Sequence, residues 1–252
     1  MEIAQQVVLI SGGASGMGAA TARYLRQKGA HIVIFDRNEA QAHTLAEAVQ
    51  GHAFKVDITD NKALEAAFDT LNTLRLSPRV CINCAGISYA HRLLGKEALF
   101  PLDAFNEVIQ VNLVATFNLL RLAAKSMSVL SPLGASQERG VIINTASIAA
   151  FEGQVGQVAY SASKGGVVAM ALPAARELAR FGIRVMTIAP GFVDTPMTQS
   201  MPENIQQQLL EQVSFPPRFA TPEEYALLAG QIIENPYLNG EVIRLDGAAR
   251  MQ

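Results

Sequence analysis

The sequence predicts an α/β protein, a doubly wound parallel sheet with helices on both faces, built as one domain over residues 1–252. Two patterns support this prediction. Short, almost continuously apolar runs alternate with longer segments of helical periodicity, and no repeat, low-complexity tract or linker interrupts the alternation. Continuously apolar strands are typical of a sheet that is covered on both faces. Strands that alternate with helices pair in parallel through right-handed crossovers.

The individual elements follow from the same patterns. Strands are predicted at residues 7–11, 31–35, 53–56, 80–83, 141–145, 183–189 and 241–245. Helices are predicted at residues 17–29, 39–50, 61–75, 103–130, 158–180 and 221–234. The last helix opens with a capping box from Thr221 to Glu224, with Pro222 in its first turn.

Two segments depart from the pattern of a regular surface helix. Pro173 lies inside the helix predicted at residues 158–180, where its missing N–H donor predicts a kink. In a helix over residues 105–127, apolar side chains would lie on more than the one face that a surface helix buries. A helix of that kind needs cover on both sides, which predicts a subunit interface.

Composition narrows the class of partner. The chain has 252 residues, of which 50% are apolar and 17% charged, with a formal net charge of -2. No run of Lys and Arg stands out, which argues against nucleic acid or an anionic membrane and favours small molecules or further copies of the chain. The first residues lack the pattern of a signal peptide, and no uncharged apolar run reaches the roughly 18 residues of a membrane span. These observations predict a soluble, cytoplasmic protein.

Neither the cysteines nor the histidines predict a metal or redox site. Cys81 and Cys84 belong to or follow a predicted strand, whereas a redox CxxC pair usually begins a helix. They are interpreted as reduced structural thiols. The four histidines lack the spacing of metal ligands and are His31, His43, His52 and His91.

A glycine-rich loop follows the first predicted strand and precedes the first helix. Its glycines are Gly12, Gly16 and Gly18, in the spacing G-x-x-x-G-x-G. Glycines let the backbone approach a pyrophosphate, and the helix N-terminus supplies N–H donors and the positive end of a dipole. The loop is therefore a variant of the Rossmann-type dinucleotide fingerprint.

Asp36, at the end of the second strand, predicts which dinucleotide is bound. A carboxylate at this position accepts hydrogen bonds from both ribose hydroxyls of NAD and repels the 2′-phosphate of NADP. The side chain of Arg37 is expected to leave the strand in the opposite direction. NAD is therefore the predicted cofactor. The alternative interpretation is an acid that merely ends a strand.

Tyr160 and Lys164 are four residues apart at the start of a predicted helix, so their side chains share one face. An ammonium about 4 Å from a phenol lowers the pKa of the phenol by roughly two to three units, enough for a base near neutral pH. Ser147 precedes the pair and supplies a hydroxyl. The alternative is a solvated pair on an amphipathic helix.

Together these motifs resemble the short-chain dehydrogenase/reductase superfamily. They occur in the expected order across nearly the whole chain, as Gly12-x-x-x-Gly16-x-Gly18, Asn83-Cys84-Ala85-Gly86, Asn112, Ser147, Tyr160-x-x-x-Lys164 and Pro190-Gly191. Cys84 is a departure, because many members carry a second asparagine there. The resemblance implies that Tyr160 is the catalytic base and that Ser147 holds the substrate oxygen. It also implies that Asn112 anchors a water molecule that connects Lys164 to solvent.

Two segments, residues 139–166 and 232–252, narrow the resemblance to the type-2 3-hydroxyacyl-CoA dehydrogenases, a subgroup also known as broad-range hydroxysteroid dehydrogenases. Insertions around residues 91–101 and 131–139 also suit this subgroup. The resemblance implies NAD-dependent, reversible oxidation of (S)-3-hydroxyacyl-CoA thioesters by a homotetramer. Mammalian relatives are mitochondrial, although no targeting segment is seen in this sequence.

The resemblance also assigns contacts residue by residue. The implied catalytic residues are Asn112, Ser147, Tyr160 and Lys164. The implied cofactor-binding residues are Gly12, Ser15, Gly16, Met17, Gly18, Asp36, Asp57, Ile58, Asn83, Cys84, Gly86, Tyr160, Lys164, Pro190 and Val193. The implied substrate contacts are Ser147 and Gln154.

Residues 191–219 contain four prolines and little charge. They predict a mobile lid over the substrate, and the alternative is an ordinary crossover loop. The apolar side chains of this segment would form an adaptable pocket and are Phe192, Met197, Met201 and Phe215.

Three other functions remain open at this point. An apolar pocket also suits a hydroxysteroid or another secondary alcohol. A 3-oxoacyl-carrier-protein reductase that uses NADPH would run the reaction in the opposite direction, and Asp36 argues against it. A non-catalytic scaffold subunit is the third alternative, and the intact Tyr160 and Lys164 pair argues against that.

Overall fold

The computed structural model describes residues 1–96 and 98–251. Seven strands form one parallel sheet in the order β3-β2-β1-β4-β5-β6-β7. Their bounds are β1 (Val7–Ser11), β2 (His31–Asp36), β3 (His52–Lys55), β4 (Val80–Asn83), β5 (Gly140–Thr145), β6 (Ile183–Pro190) and β7 (Val242–Leu245). The predicted fold class is therefore confirmed. The strand order reverses between β1 and β4, and crevices for ligands form at such a point in open α/β sheets.

The helices lie between successive strands, as the alternation predicts. Their bounds are α1 (Gly16–Gln27), α2 (Glu39–Ala48), α3 (Asn61–Thr73), α4 (Leu102–Ile109), α5 (Ala115–Ser128), α6 (Val158–Leu178), α7 (Pro196–Gln199), α8 (Glu203–Leu210) and α9 (Pro222–Glu234). The capping box at Thr221 is present, with Glu224 bonded back to the backbone of Thr221. Within the described residues, no helix is both long and apolar enough to cross a bilayer.

The core has two layers, one on each face of the sheet. On one face, α1, α2 and α9 bury side chains that include Leu25 and Ile232 against the strands. On the other face, α3, α5 and α6 bury side chains that include Phe68 and Leu119. The inner strands β5 and β6 are wholly buried between these layers, which explains why their sequences are so apolar.

The helix predicted at residues 103–130 is present from Leu102 to Ser128, but it contains a π turn that was not predicted. A π-helical turn at Gln110–Val114 separates α4 from α5. The apolar pattern runs on across the turn, so no residue type indicates the π turn. Asn112 lies within the π turn and is fully buried. π turns inside helices are frequent at functional sites.

Two other segments were predicted to be irregular, the helix that contains Pro173 and the lid segment at residues 191–219. Helix α6 continues through Pro173 to Leu178, so the proline does not end it. The segment at residues 191–219 contains the short helices α7 and α8. Pro196 occupies the first turn of α7, where the lack of an N–H donor costs nothing.

Candidate active site

A cleft of about 430 Å³ opens beside the carboxyl ends of the first four strands. Its lining includes most of the residues predicted to contact the cofactor, namely Gly12, Ser15, Gly16, Met17, Gly18, Asp36, Asp57, Ile58, Cys84 and Gly86. The cleft lies at the reversal of strand order between β1 and β4, where a doubly wound sheet binds its ligand.

The glycine-rich loop shapes one wall of this cleft. Gly12 has a φ of +63°, and a Cβ atom there would lie 2.7 Å from the backbone of Ala85, so only glycine fits. Ser15, the N-cap residue of α1, makes no side-chain capping bond. The first N–H groups of α1 are therefore left to a ligand. Free N–H donors at a helix N-terminus fit the pyrophosphate of a dinucleotide.

Asp36 is held in a fixed orientation at the end of β2. Its Oδ2 accepts a hydrogen bond from the N–H of Ala14 at 3.0 Å, and its Oδ1 accepts one from the N–H of Asn38 at 2.9 Å. Because each carboxylate oxygen has a second lone pair, both can still accept hydrogen bonds from ribose hydroxyls. The carboxylate and Arg37 both line the cleft.

Asp57 lies farther along the cleft, beyond β3. Its Oδ1 accepts hydrogen bonds from the hydroxyl of Thr59 at 2.7 Å and from the N–H of Thr59 at 2.9 Å. These two bonds lower the pKa of Asp57 below its ordinary value and keep the carboxylate ionised. Oδ2 is left for a ligand group that donates a hydrogen bond. The supporting role of Thr59 was not recognised from the sequence.

Three of the predicted cofactor residues, Asn83, Pro190 and Val193, are buried and are not among the residues that line the cleft. Asn83 donates from Nδ2 to Oδ1 of Asn144 at 2.8 Å, so its side chain bridges β4 and β5 inside the protein. Val193 forms a single parallel bridge with Ala220. Their buried positions suit a role in supporting the cleft.

Tyr160 and Lys164 lie in the first turns of α6, with Lys164 Nζ 5.8 Å from the centre of the Tyr160 ring. Lys164 is only 4% exposed, and its Nζ donates a hydrogen bond to the main-chain oxygen of Thr145 at 2.8 Å. Thr145 is the last residue of β5. The end of this strand therefore anchors the ammonium beside the phenol.

Burial dominates the ionisation of both groups. It lowers the pKa of Lys164 to about 8, because the charged ammonium loses its hydration. It also raises the pKa of Tyr160, an effect that the neighbouring Ser147 hydroxyl opposes. The sequence predicted instead that the ammonium lowers the pKa of the phenol. In the protein alone the pKa of the phenol shifts in the opposite direction to that prediction, because desolvation of the phenol outweighs the hydrogen bond with Ser147.

Ser147 lies two residues beyond the end of β5, and its side chain is 9% exposed. Its Oγ accepts a hydrogen bond from the N–H of Ala149 at 3.1 Å, as the N-cap of the 3-10 helix at Ile148–Ala150. Because the oxygen serves as an acceptor in that bond, its own O–H can donate, and the Tyr160 hydroxyl is within hydrogen-bonding range. The hydroxyl can therefore donate to a substrate oxygen held beside Tyr160.

Asn112 clamps the loop after β4 against α6. Its Oδ1 accepts from the N–H of Ile87 at 2.8 Å, and its Nδ2 donates to the oxygen of Ile87 at 2.9 Å and to Ser163 Oγ at 3.1 Å. The side chain is thus occupied by protein partners. Any water held by this residue would bind its main-chain oxygen, which already accepts from the Thr116 hydroxyl at 2.8 Å.

Sequence reasoning missed other contacts around the site. Glu152 accepts a two-pronged hydrogen bond from Arg244, at 2.8 and 3.1 Å, and so ties the loop after β5 to the end of β7. In the same loop, Gln154 donates from Nε2 to Oε1 of Gln212 at 3.4 Å. That bond joins the predicted substrate residue to the segment at residues 191–219. Neither pairing has a signal in sequence spacing, because the partners are far apart along the chain.

Comparison with known proteins identifies the family. The family described as short chain dehydrogenase matches residues 6–206. The 3-hydroxyacyl-CoA dehydrogenase type-2 of Bos taurus is 51% identical over 250 residues, which cover 98% of this chain and 95% of that protein. The protein of the same name from Drosophila melanogaster is 44% identical over 253 residues, which cover 99% of each chain.

A solved structure agrees with these sequence matches. The crystal structure of 3-hydroxyacyl-CoA dehydrogenase type-2 from Mycobacterium avium superposes with a TM-score of 0.91 at 36% identity, over 97% of this chain and 96% of that one. The cleft with its glycine-rich loop and the Tyr160 and Lys164 pair agree with these matches. The chain therefore belongs to the short-chain dehydrogenase family and is an oxidoreductase that uses a nicotinamide cofactor.

Proposed function

We propose that this protein oxidises the 3-hydroxyl of (S)-3-hydroxyacyl-CoA thioesters with NAD, in a reversible reaction. The observation that carries the proposal is the placement of Tyr160, Lys164 and Ser147 around the end of β5, beside the dinucleotide cleft. This arrangement supports transfer of a proton from an alcohol. The thioester class is supported by full-length relatives named 3-hydroxyacyl-CoA dehydrogenase type-2.

In the proposed mechanism, Tyr160 removes the proton from the 3-hydroxyl of the substrate. Ser147 donates a hydrogen bond to the same oxygen and stabilises the negative charge that develops there. Lys164, anchored on Thr145, stabilises the phenolate of Tyr160. Bound NAD supplies a hydride acceptor for carbon 3 of the substrate. Because burial raises the pKa of Tyr160, we expect the oxidation rate to rise with pH on the alkaline side of neutrality.

The proposed preference for NAD rests on the carboxylate of Asp36. Its position at the end of β2, with both oxygens able to accept further hydrogen bonds, suits the two ribose hydroxyls. The same charge would repel a 2′-phosphate. The neighbouring Arg37 also lines the cleft and is the side chain that would favour NADP if the carboxylate were removed.

We propose that residues 191–219 form a lid over the acyl group. Phe215 is 79% exposed and Met197 is 41% exposed in this segment, although both are apolar. Contact with an acyl chain would cover such side chains. The hydrogen bond between Gln154 and Gln212 links the segment to the loop that follows Ser147. Movement of the lid would therefore reach the catalytic end of the cleft.

The proposed function is tested by measuring NADH formation from NAD and (S)-3-hydroxybutyryl-CoA. We expect turnover with NAD, much less with NADP, and a loss of at least about 10²-fold in kcat for Tyr160→Phe. Turnover of a steroid or a simple secondary alcohol without turnover of the thioester would reject the acyl-CoA assignment. A preference for NADPH and a 3-oxoacyl-carrier-protein substrate would favour the reductase, and equal activity of Tyr160→Phe would reject the mechanism.

We also propose that the protein is a homotetramer that uses the exposed face of α5 and α6. An apolar groove of about 610 Å³ runs between these helices, and Phe117 and Pro173 are among its lining residues. Lys125 of α5 and Glu177 of α6 also line it. In a twofold interface that brings Lys125 of one copy to Glu177 of the other, the same pair of opposite charges forms twice. Pro173 thus lies on the proposed interface.

Replacing Phe117 by glutamate is expected to dissociate the tetramer. Phe117 is 50% exposed on α5, and glutamate there would replace an apolar contact surface by a carboxylate that loses hydration in the assembly. Light scattering should show a lower molar mass for Phe117→Glu. Leu74→Glu is the matched control, because Leu74 is 52% exposed at the end of α3 and lies outside the groove. An unchanged mass for Phe117→Glu would place the interface elsewhere.

A further inference from the structure

Tyr225 brings a hydroxyl group into an otherwise apolar helix interface. It lies in the first turns of α9 and is fully buried. The other buried residues of this helix are Ala226, Ala229, Gly230, Ile232 and Ile233. The phenol oxygen is 2.7 Å from Thr145 Oγ1 and accepts a weak hydrogen bond from Cys84 Sγ at 3.7 Å.

Packing alone does not explain this hydroxyl. A buried hydroxyl group costs free energy unless it is hydrogen-bonded, and a phenylalanine would fill nearly the same volume without that cost. The partners of the Tyr225 hydroxyl are Cys84, which packs against the same core cluster, and Thr145. They lie at the carboxyl ends of β4 and β5, where Cys84 lines the cofactor cleft and Thr145 ends its strand.

Thr145 connects this hydroxyl to the catalytic lysine. Its side chain bonds to Tyr225, while its main-chain oxygen accepts the hydrogen bond from Lys164 Nζ at 2.8 Å. The titratable side chains that face Lys164 are Tyr160 on α6 and Cys84 beyond β4. An ammonium with so few polar neighbours depends on the carbonyl of Thr145 for its position.

We propose that Tyr225 is a positioning residue of the active site, whose hydroxyl fixes Thr145 and thereby fixes the ammonium of Lys164 beside Tyr160. The proposal rests on the catalytic role proposed for Lys164. Tyr225 lies beyond residues 6–206, the part of the chain that matches the family as a whole. Helix α9 would thus contribute to catalysis from the opposite face of the sheet to α6.

The test compares Tyr225→Phe, Thr145→Val and the double variant with the wild type, using steady-state kinetics across a range of pH. The substrate is whichever alcohol the wild type oxidises, so rejection of the thioester assignment leaves this test intact. Tyr24→Phe is the matched control, because Tyr24 packs against Gly230 at the contact of α1 with α9, away from the site. Melting temperatures of all variants report on folding.

We expect Tyr225→Phe to lower kcat by about tenfold, with both KM values within about twofold of the wild type. The rising limb of the pH profile should move to higher pH by about half a unit or more, because a poorly held ammonium stabilises the phenolate less. Thr145→Val should behave in the same way, and the double variant should be no worse than either single change. Tyr24→Phe should match the wild type.

A Tyr225→Phe variant with unchanged kcat and an unchanged pH profile would overturn the proposal, even if its melting temperature fell. Additive losses in the double variant would also overturn it, since the two groups would then act independently. The proposed function and this inference can fail separately. If Tyr160→Phe abolishes activity while Tyr225→Phe leaves the kinetics and the pH profile unchanged, the proposed function stands and only this inference is rejected.

Discussion

Replacing Lys164 by methionine is expected to abolish oxidation and, at the same time, to make the protein more stable at pH 7. The loss of activity should be about 10²-fold or more in kcat, because the phenolate of Tyr160 loses its neighbouring positive charge. The gain in stability follows from burial. The pKa of Lys164 falls from 10.5 to about 8 in the folded protein.

The size and the sign of this stability change follow from that pKa. Each unit of pKa shift corresponds to about 1.4 kcal/mol, so the buried ammonium costs about 3 kcal/mol below pH 8. Methionine removes this cost but leaves the Thr145 carbonyl without its hydrogen bond, a loss of about 1 kcal/mol. We therefore expect Lys164→Met to be about 2 kcal/mol more stable at pH 7.

The pH dependence separates this explanation from a general packing effect. Between pH 8 and 10.5 the unfolded lysine holds a proton that the folded lysine has lost, so the wild type gains stability as pH rises. Above pH 10.5 the methionine variant should no longer be more stable than the wild type. Urea unfolding of both proteins at pH 7 and near pH 10.5 measures the difference in their free energy of unfolding at each pH. A methionine variant that is less stable than the wild type at pH 7 would contradict the inferred cost of burying Lys164.

Replacing Asp36 by alanine is expected to reduce the preference for NAD over NADP by about 100-fold. The change would remove the two charge-assisted hydrogen bonds proposed for the ribose and the proposed repulsion of a 2′-phosphate, while Arg37 remains in the cleft. The measurement is kcat/KM for each cofactor at one fixed substrate concentration. The loss with NAD and the gain with NADP should both contribute to the altered ratio.

Asp57→Asn is the matched control for this prediction. Asp57 lines the same cleft but lies beyond β3, away from the position expected for the 2′-phosphate. Loss of the Asp57 carboxylate should lower kcat/KM for NAD and for NADP to a similar degree. An Asp36→Ala variant that loses activity equally with both cofactors would mean that the carboxylate does not discriminate between them.

The sequence predicted the sheet well because its strands are buried on both faces and therefore stand out as apolar runs. The predicted strands at residues 7–11 and 80–83 match β1 and β4, the one at residues 53–56 is shifted by one residue from β3, and the other four differ from the observed strands by one residue at one end. The cleft was predictable for a related reason. Its glycines, Asp36 and Asp57 follow strands directly, and the carboxyl ends of parallel strands meet at one edge.

Features that depend on distant partners could not be predicted. The π turn around Asn112 keeps the apolar pattern of a continuous helix, so no residue type marks it. Tyr225 and Thr145 are separated by 80 residues, and nothing in either segment indicates that the two hydroxyls meet. The pKa of Tyr160 was predicted in the wrong direction, because burial of a side chain is a property of the fold and not of the local sequence.

The most direct test of the proposed chemistry follows one hydrogen atom. The protein is mixed with NAD and (S)-3-hydroxybutyryl-CoA that carries deuterium on carbon 3, and the NADH formed is analysed by mass spectrometry, with the (R) enantiomer as control. Hydride transfer from carbon 3 predicts one deuterium in each NADH from the (S) substrate and negligible NADH from the (R) substrate. Absence of NADH, or NADH without deuterium, would contradict the proposed oxidation of (S)-3-hydroxyacyl-CoA thioesters.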